Sequence, residues 1–242
     1  MSDVVVQRSS SVVQRIDRFV LWAGWHWLAA LNVLIGVWVV LPWLAPVFMH
    51  LGATWPARAV YAFYSLQCHQ LPQRSYFLFG SQLMLPLKDI LSAYPAQDPL
   101  QLRPFIGTTA LGWKVAWSDR MVSLNTPLLV GGLWYALSRQ VGRPWRPLPV
   151  RAWALAYGPL AIDGLSHLVN DATGLGFRDT NAWLAILTGH LLPAAFYAGD
   201  ALGSFNWWLR LATGLPAGFA TIWALYPRLD GLTPTSGSPL ET

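Results

Sequence analysis

The feature that most limits the fold of this chain is a long apolar run near its N-terminus. From Phe19 to Met49 the sequence contains no Asp, Glu, Lys or Arg. A helix of roughly 20 apolar residues crosses a bilayer core of about 30 Å, so this run is long enough to span a membrane. It is also much longer than the roughly 7 to 15 apolar residues of a cleaved signal peptide, so we expect it to remain as an anchor.

Four further stretches are apolar enough, or nearly so, to cross a bilayer. The five expected spans are 20–43, 121–137, 152–169, 181–198 and 206–226. Two shorter apolar pieces, 57–67 and 76–87, lie in the segment 44–120 and indicate re-entrant or interfacial structure there. The expected fold class is therefore all-α: a polytopic integral membrane helix bundle of about five transmembrane helices plus a re-entrant or interfacial outer segment.

Composition agrees with this class and excludes several others. Of the 242 residues 54% are hydrophobic and 11% charged, whereas a soluble domain has about 25% charged residues. The single cysteine excludes an internal disulfide, a Cys-x-x-Cys redox pair and an all-thiolate zinc site. We expect one transmembrane helical domain over residues 1–227, and a flexible tail over the Pro- and Gly-containing residues 228–242.

The basic residues predict the orientation rather than a nucleic-acid partner. The net charge is +5, but the basic residues lie at the ends of apolar runs, and the sequence shows no clustered basic face. The expected partner is therefore the lipid bilayer, with no nucleic acid. Basic residues cluster before the first span and in the loop after the second: Arg8, Arg15 and Arg18, then Arg139, Arg143, Arg146 and Arg151. Both regions should be cytoplasmic, so five crossings would leave the C-terminus outside, on the side of 44–120.

Polar residues in the third span need an explanation. Asp163, His167 and Asn170 follow an i, i+4, i+7 spacing and therefore share one helix face. A carboxylate inside a span costs roughly 2.5 to 3.5 kcal/mol on insertion scales, so it should face protein or a water-filled cavity. Asp163 could bond one ring nitrogen of His167 and leave the other for a ligand or a proton. The alternative is a satisfied polar contact between helices, with Gly164 permitting close approach.

A second polar group, Cys68-His69-Gln70, lies in the outer segment. Pro72 should end a helix near Gln70, and the spacing of Tyr61, Tyr64 and Cys68 predicts one shared face. A thiol beside an imidazole could bind copper or zinc. Adjacent helical residues diverge by about 100°, however, so a second element would have to supply ligands, and the outer half of the third span is suitable. The alternative is a capping turn that buries Cys68 as a small hydrophobe.

Two residues at the start of the second span also carry charge. Lys114 and Arg120 could contact an anion or a lipid headgroup, or they could simply extend to the membrane interface. His26 and His190 fit an interfacial and a helix-packing role. A haem held by histidines is the less favoured cofactor.

The chain resembles a family of predicted bacterial and archaeal membrane proteins, a domain of unknown function, whose hallmark is Cys-His-Gln followed by Arg-Ser. The matching blocks are Cys68 to Ser75, Phe105 to Arg120, and Pro159 to Gly164 continuing to Thr188-Gly189. The resemblance implies a multi-pass protein of the prokaryotic plasma membrane and no established activity. This chain departs from the family at Ser118, where relatives usually carry a second Cys, at Met121, where they commonly carry an acidic residue, and at His167, where they usually carry Gln.

These observations lead to one site hypothesis and one alternative. The candidate site residues are Cys68, His69, Gln70, Arg74, Ser75, Lys114, Arg120, Asp163 and His167. The first hypothesis is a metal- or cofactor-binding membrane protein with an outer-side site, in which Cys68, His69, His167 and Asp163 would be the ligands of copper or zinc. The alternative is a non-catalytic subunit or assembly factor that contacts other membrane-protein subunits. The sequence leaves open whether the protein is an enzyme.

Overall fold

The structure is a computed structural model that describes residues 2–97 and 99–232, and it is mostly helical. The helices are α1 (Ser2–His50), α2 (Thr54–Tyr64), α3 (Leu87–Ala93), α4 (Asp119–Gln140), α5 (Val150–Thr173), α6 (Phe177–Thr180), α7 (Ala182–Leu187), α8 (Ala194–Tyr197) and α9 (Phe205–Asp230). The strands are β1 (Ser75–Leu78), β2 (Gly107–Thr108) and β3 (Gly112–Ser118), and 3-10 turns cover Pro72–Arg74 and Pro99–Leu102.

The long helices α1, α4, α5 and α9 form the body of the molecule. Helix α9 packs along α4 and also against α5, and α1 packs against α4. Glycines allow the α4–α9 approach, because a Cβ added at Gly218 would lie 2.1 Å from the carbonyl oxygen of Leu124. Small residues of this kind are typical of closely packed helices in membranes.

One helical stretch within the described residues, Gly24–His50, is long and apolar enough by length and composition to cross a membrane. It has a mean hydropathy of 2.1. It coincides with the apolar run that the sequence marks as an anchor. The mostly helical character that the sequence predicts is confirmed, together with one candidate membrane span.

The expectation of an all-α chain is wrong in the segment between α1 and α4. This segment contains an antiparallel sheet with the strand order β1-β3-β2, in which Phe77 pairs with Lys114 and Gly107 with Trp113. Strand β3 carries Trp, Val and Trp at alternate positions, residue types that favour strands. Most of β3 is buried and it packs against α1, so the strand lacks the apolar and polar alternation that identifies a half-buried strand in a sequence.

The expected span 181–198 is not a continuous helix. Helix α7 ends at Leu187, and α8 begins only at Ala194. Between them Gly189 and His190 adopt left-handed conformations, with φ of 59° and 57°, and Pro193 precedes α8. A left-handed residue ends a helix, and proline prevents its continuation.

Helix α9 ends beside the loop that joins α4 and α5. The indole Nε1 of Trp223 donates to the Arg146 carbonyl at 2.9 Å, and Arg139 pairs with Asp230 at 3.0 Å. The end of α9 and the loop 141–149 therefore form one end of the molecule, which we call the basic end. The three strands and the segments that join them form the opposite sheet end. The end of α9 thus lies with the loop 141–149 and not with the segment 44–120, and the expected fifth helix over 181–198 is interrupted.

The expected flexible tail, 228–242, is only partly covered by the described residues. Arg228 to Asp230, assigned to the tail by sequence, continue α9. The remaining part of the expected tail from 233 to 242 lies outside the described residues.

Candidate functional site

A cavity of about 200 Å³ lies at the sheet end, between the segment after α2 and the start of α4. We call it the thiol pocket. Its lining residues are Gln67, Cys68, His69, Gln70, Leu71, Arg74, Ser118, Asp119, Arg120, Met121 and Arg210. Five of the nine candidate residues from the sequence therefore line one cavity: Cys68, His69, Gln70, Arg74 and Arg120.

Cys68 forms part of the pocket wall and is 6% exposed. Its Sγ accepts hydrogen bonds from the backbone N–H groups of Gln70 and Ser118, both at 3.4 Å. The thiol in turn donates to the Ser118 hydroxyl at 3.5 Å. His69 is exposed, whereas Cys68 is buried. Helix α2 already ends at Tyr64, so both residues follow the helix and do not belong to it. Gln70 adopts a left-handed conformation, with φ of 51°.

Lys114 is fully buried in β3, so the expectation that it extends to a membrane interface is wrong. Its Nζ donates to the carbonyl oxygens of Gln70 at 2.7 Å and Arg103 at 2.8 Å. Burial lowers the pKa of Lys114 to about 7, an effect that Cys68 opposes and Arg103 reinforces. Lys114 thus fastens the Gln70 turn to the sheet behind the pocket.

Ser75 lies beside the pocket rather than on its wall. It is fully buried, and its hydroxyl donates to the Leu71 carbonyl at 2.9 Å. In the sheet it pairs with Ser118. It therefore shapes the turn that carries Cys68 to Arg74.

Asp163 lies in α5, and its carboxylate binds two guanidinium groups. Arg120 Nη2 donates to Oδ2 at 2.6 Å, and Arg178 Nη2 donates to Oδ1. The Nε2 atom of His167 is 3.8 Å from Oδ1, which is too long for a hydrogen bond. The expected direct bond between Asp163 and His167 is therefore wrong, because both carboxylate oxygens already bind arginine.

The neighbours of His167 determine its tautomer. Its Nε2 lies 3.1 Å from Arg178 Nη2 and 3.5 Å from Arg210 Nη1. A guanidinium can only donate, so Nε2 accepts and the ring proton lies on Nδ1. Nδ1 is buried and has no hydrogen-bond partner among the described residues. One ring nitrogen thus remains available for a water or a ligand.

A chain of ion pairs continues from this cluster across the sheet end. Arg210 binds Asp119 and Asp200, both at 2.7 Å. Arg74 binds Asp200 at 2.9 Å and holds both oxygens of Asp171, at 2.8 and 3.0 Å. Burial would raise the pKa of Asp200, but Arg210 and Arg74 hold it well below its usual range. The carboxylates thus fix the guanidinium groups at the pocket.

The sequence reasoning missed several members of this network. Asp171 lies near the end of α5, Arg178 in the short helix α6 and Asp200 between α8 and α9. All three fall outside the expected spans, where a charged residue carries no particular signal. Arg210 lies inside the expected span 206–226, and the argument used for Asp163 would have identified it.

The predicted metal ligands do not fit a metal ion in this arrangement. Within the described part of the chain, no group of three or more His, Cys, Asp or Glu side chains is placed to hold one. Asp163 binds Arg120 and Arg178, and His167 Nε2 faces Arg178 and Arg210. Because positive groups surround these donors, the geometry does not support a copper or zinc site made of Cys68, His69, Asp163 and His167.

Comparison with known proteins gives one informative match. The uncharacterized protein MJ1492 of Methanocaldococcus jannaschii is 29% identical over 155 residues, which cover 61% of this chain and 73% of the archaeal protein. No family model matches the chain, and no solved structure matches it.

Proposed function

We propose that the chain is a multi-pass protein of the prokaryotic plasma membrane, related to the Cys-His-Gln family, in which α1, α4, α5 and α9 cross the bilayer. These helices contain 49, 22, 24 and 26 residues, enough for a span of roughly 20. Besides α1, the most apolar helix, three further helices are therefore long enough to cross the bilayer.

The distribution of side chains over the bundle supports this proposal. Exposed apolar residues on the long helices include Leu34, Val37, Val130, Leu133, Leu155, Ile162, Leu165 and Leu168. Buried polar residues on the same helices include Asn32, Asn125, Asp163, His167, Asn170, Asn206, Arg210 and Thr213. An apolar exterior around polar contacts is the arrangement that a helix bundle needs in lipid.

Hydrogen bonds between helices illustrate the point. Asn32 of α1 donates to the Gly132 carbonyl of α4 at 3.2 Å and accepts from the Tyr226 hydroxyl of α9 at 3.1 Å.

The basic end would face the cytoplasm, because arginines favour that side. Four crossings then place the end of α9 inside the cell and the thiol pocket outside.

The pocket, in turn, is suited to a small ligand with an anionic group, such as a carboxylate or a phosphate, and we propose that binding it is the function of the site. The observation that carries this proposal is that three arginines, Arg74, Arg120 and Arg210, line the cavity, against one carboxylate residue, Asp119. Arg120 also has a buried Nε with no hydrogen-bond partner among the described residues. Guanidinium groups bind carboxylate and phosphate oxygens through directed, charge-assisted hydrogen bonds.

The carboxylates behind the pocket prepare it for such a ligand. Asp163 and Asp200 hold Arg120, Arg210 and Arg74 in place before any ligand arrives, so binding does not have to order these side chains. The ligand would lie against the Cys68 thiol. The site would bind an anionic cofactor or substrate, and the arginines would supply the complementary positive charge.

The single cysteine of the chain allows a direct test. We expect an anionic methanethiosulfonate reagent to modify Cys68 about threefold or more faster than a cationic one of similar size, after correction for intrinsic reactivity. Inorganic phosphate should slow the reaction. Arg120→Gln should remove most of the preference for the anionic reagent. Arg58→Gln, which removes an exposed charge on α2, should keep it.

The same reagent tests the orientation. Because it does not cross membranes, it should modify Cys68 in right-side-out vesicles and leave it unmodified in inverted ones. Equal rates for both reagents in the wild type would contradict the anion site. Modification only in inverted vesicles would contradict the orientation.

A further inference from the structure

A second cavity, of about 360 Å³, lies at the basic end. It is lined by Trp134, Trp145, Arg146, Phe219 and Trp223, and we call it the tryptophan cleft. The Trp145 ring lies 5.6 Å from that of Trp134 and 5.7 Å from that of Phe219, centre to centre. Four aromatic residues and the exposed Arg146 thus form a cleft that is almost entirely apolar inside.

The cleft is held open by the attachment of the loop 141–149 to α9. The Leu148 N–H donates to the Trp223 carbonyl at 3.2 Å, and Trp223 Nε1 donates to the Arg146 carbonyl at 2.9 Å. Arg228 adds a bond to the Leu148 carbonyl at 2.8 Å. Because these bonds are internal to the protein, the cleft exists before a ligand enters it, which lowers the ordering cost of binding.

The exposed arginines of the loop 141–149 and of the start of α5 have no carboxylate partner within the described part of the chain. Arg143, Arg146 and Arg151 are exposed and pair with no carboxylate among the residues that the structure describes. Arg139, by contrast, pairs with Asp230. The basic end therefore presents free positive charge beside an apolar cleft.

We propose that the tryptophan cleft binds an anionic phospholipid, with one acyl chain against the aromatic rings and the phosphate on Arg146 and Arg143. This inference relies on the membrane location proposed above. Charge complementarity selects the ligand, because a zwitterionic lipid gains less from the unpaired arginines and a water-soluble anion gains nothing from the aromatic wall. A single basic residue near an anionic headgroup contributes about 1 kcal/mol, which is about fivefold in affinity.

The test measures lipid binding to the full chain in detergent. Native mass spectrometry would count bound phosphatidylglycerol and phosphatidylethanolamine with identical acyl chains. We expect phosphatidylglycerol to bind about fivefold or more tightly. Arg146→Gln should reduce this preference about fivefold, whereas the matched Arg58→Gln at the sheet end should leave it unchanged. Trp134→Leu, which removes one indole ring from the lining of the cleft, should weaken the binding of both lipids.

Three results would overturn the inference: equal binding of the two lipids, equal effects of Arg146→Gln and Arg58→Gln, or an unchanged affinity in Trp134→Leu. Cys68 labelling in oriented vesicles separates this failure from that of the membrane proposal. Labelling from outside without a lipid preference would reject the lipid site alone. Labelling with equal efficiency in vesicles of both orientations would reject the arrangement of four crossings, and with it the membrane location on which the lipid site relies.

Discussion

The arginines at the two ends of the molecule differ in burial and in their carboxylate partners. At the sheet end Arg74, Arg120, Arg178 and Arg210 each contact at least one carboxylate. At the basic end Arg143, Arg146 and Arg151 are exposed and contact none among the described residues. Buried arginines thus form a network at the sheet end. At the basic end only Arg139 pairs with a carboxylate among the described residues.

The reason for the difference is the cost of removing a charge from water. A buried ion loses several kcal/mol of hydration free energy unless a partner compensates it, whereas an exposed arginine keeps its hydration. The buried arginines therefore need carboxylate partners. The resulting ion pairs fix the positions of the arginines that line the thiol pocket. The unpaired arginines are free to meet the charges of a membrane surface.

The largest expected effect comes from removing a counter-charge at the sheet end. Asp163→Asn preserves volume but leaves Arg120 and Arg178 without the carboxylate that they share. We expect the free energy of unfolding in detergent to fall by about 3 to 5 kcal/mol. Denaturant titration followed by tryptophan fluorescence would measure it. Asp171→Asn is the matched control, because Asp171 is more exposed and Arg74 keeps Asp200; equal losses in both variants would refute the distinction.

A second prediction tests how closely the sheet end is fixed. In Ser118→Cys the new thiol would replace a hydroxyl that lies 3.5 Å from Cys68 Sγ, close enough for a disulfide after a small adjustment. Closing a loop of about 50 residues should stabilise the oxidised protein by about 2 to 4 kcal/mol. A reductant-sensitive change in gel mobility and in the unfolding midpoint would detect the bond. Ser123→Cys, on α4 beside the Arg210 carbonyl, should form none; if neither variant forms a disulfide, this geometry is wrong.

Sequence spacing was enough to predict one buried face of α5. Asp163, His167 and Asn170 are each 2% exposed, while Ile162 and Leu165 face outward. Spacing could not predict that Arg178 would reach Asp163 from the short helix α6, because that contact depends on tertiary structure. The direct contact between Asp163 and His167 was therefore predicted from an incomplete set of neighbours.

The sheet was missed for a different reason. Lys114 was interpreted as a charge at the start of a span because it lies shortly before the expected span 121–137. In the structure Lys114 lies in β3, and its charge is compensated by carbonyl groups from two separate turns. Neither turn is adjacent to it in sequence, so no local pattern indicates its burial. The five candidate residues that line the thiol pocket also come from segments far apart in the sequence. Motifs could therefore suggest that they form one site, but not how they are arranged.

Lys114 should make the stability of the sheet end depend on pH. Its folded pKa of about 7 lies below its usual value of 10.5, so between these values the unfolded chain binds a proton that the folded chain does not. Stability therefore rises with pH in this window and does not depend on this group below it. We expect a gain of about 2 kcal/mol from pH 7 to 9. Lys114→Met should flatten the rise, although the loss of two hydrogen bonds lowers stability at every pH; an unchanged slope would contradict the assignment.

The smallest effect is expected at the basic end, where Arg143 is exposed and unpaired among the described residues. Arg143→Gln should change the free energy of unfolding by less than about 0.5 kcal/mol, because the side chain keeps its hydration in the folded and unfolded states. The same substitution at the buried Arg178 leaves Asp163 with one fewer partner and should cost several-fold more. Parallel denaturant titrations in detergent would compare them. A large loss in Arg143→Gln would mean that the basic end, like the sheet end, uses its arginines for stability, and that its charge is not free to bind lipid.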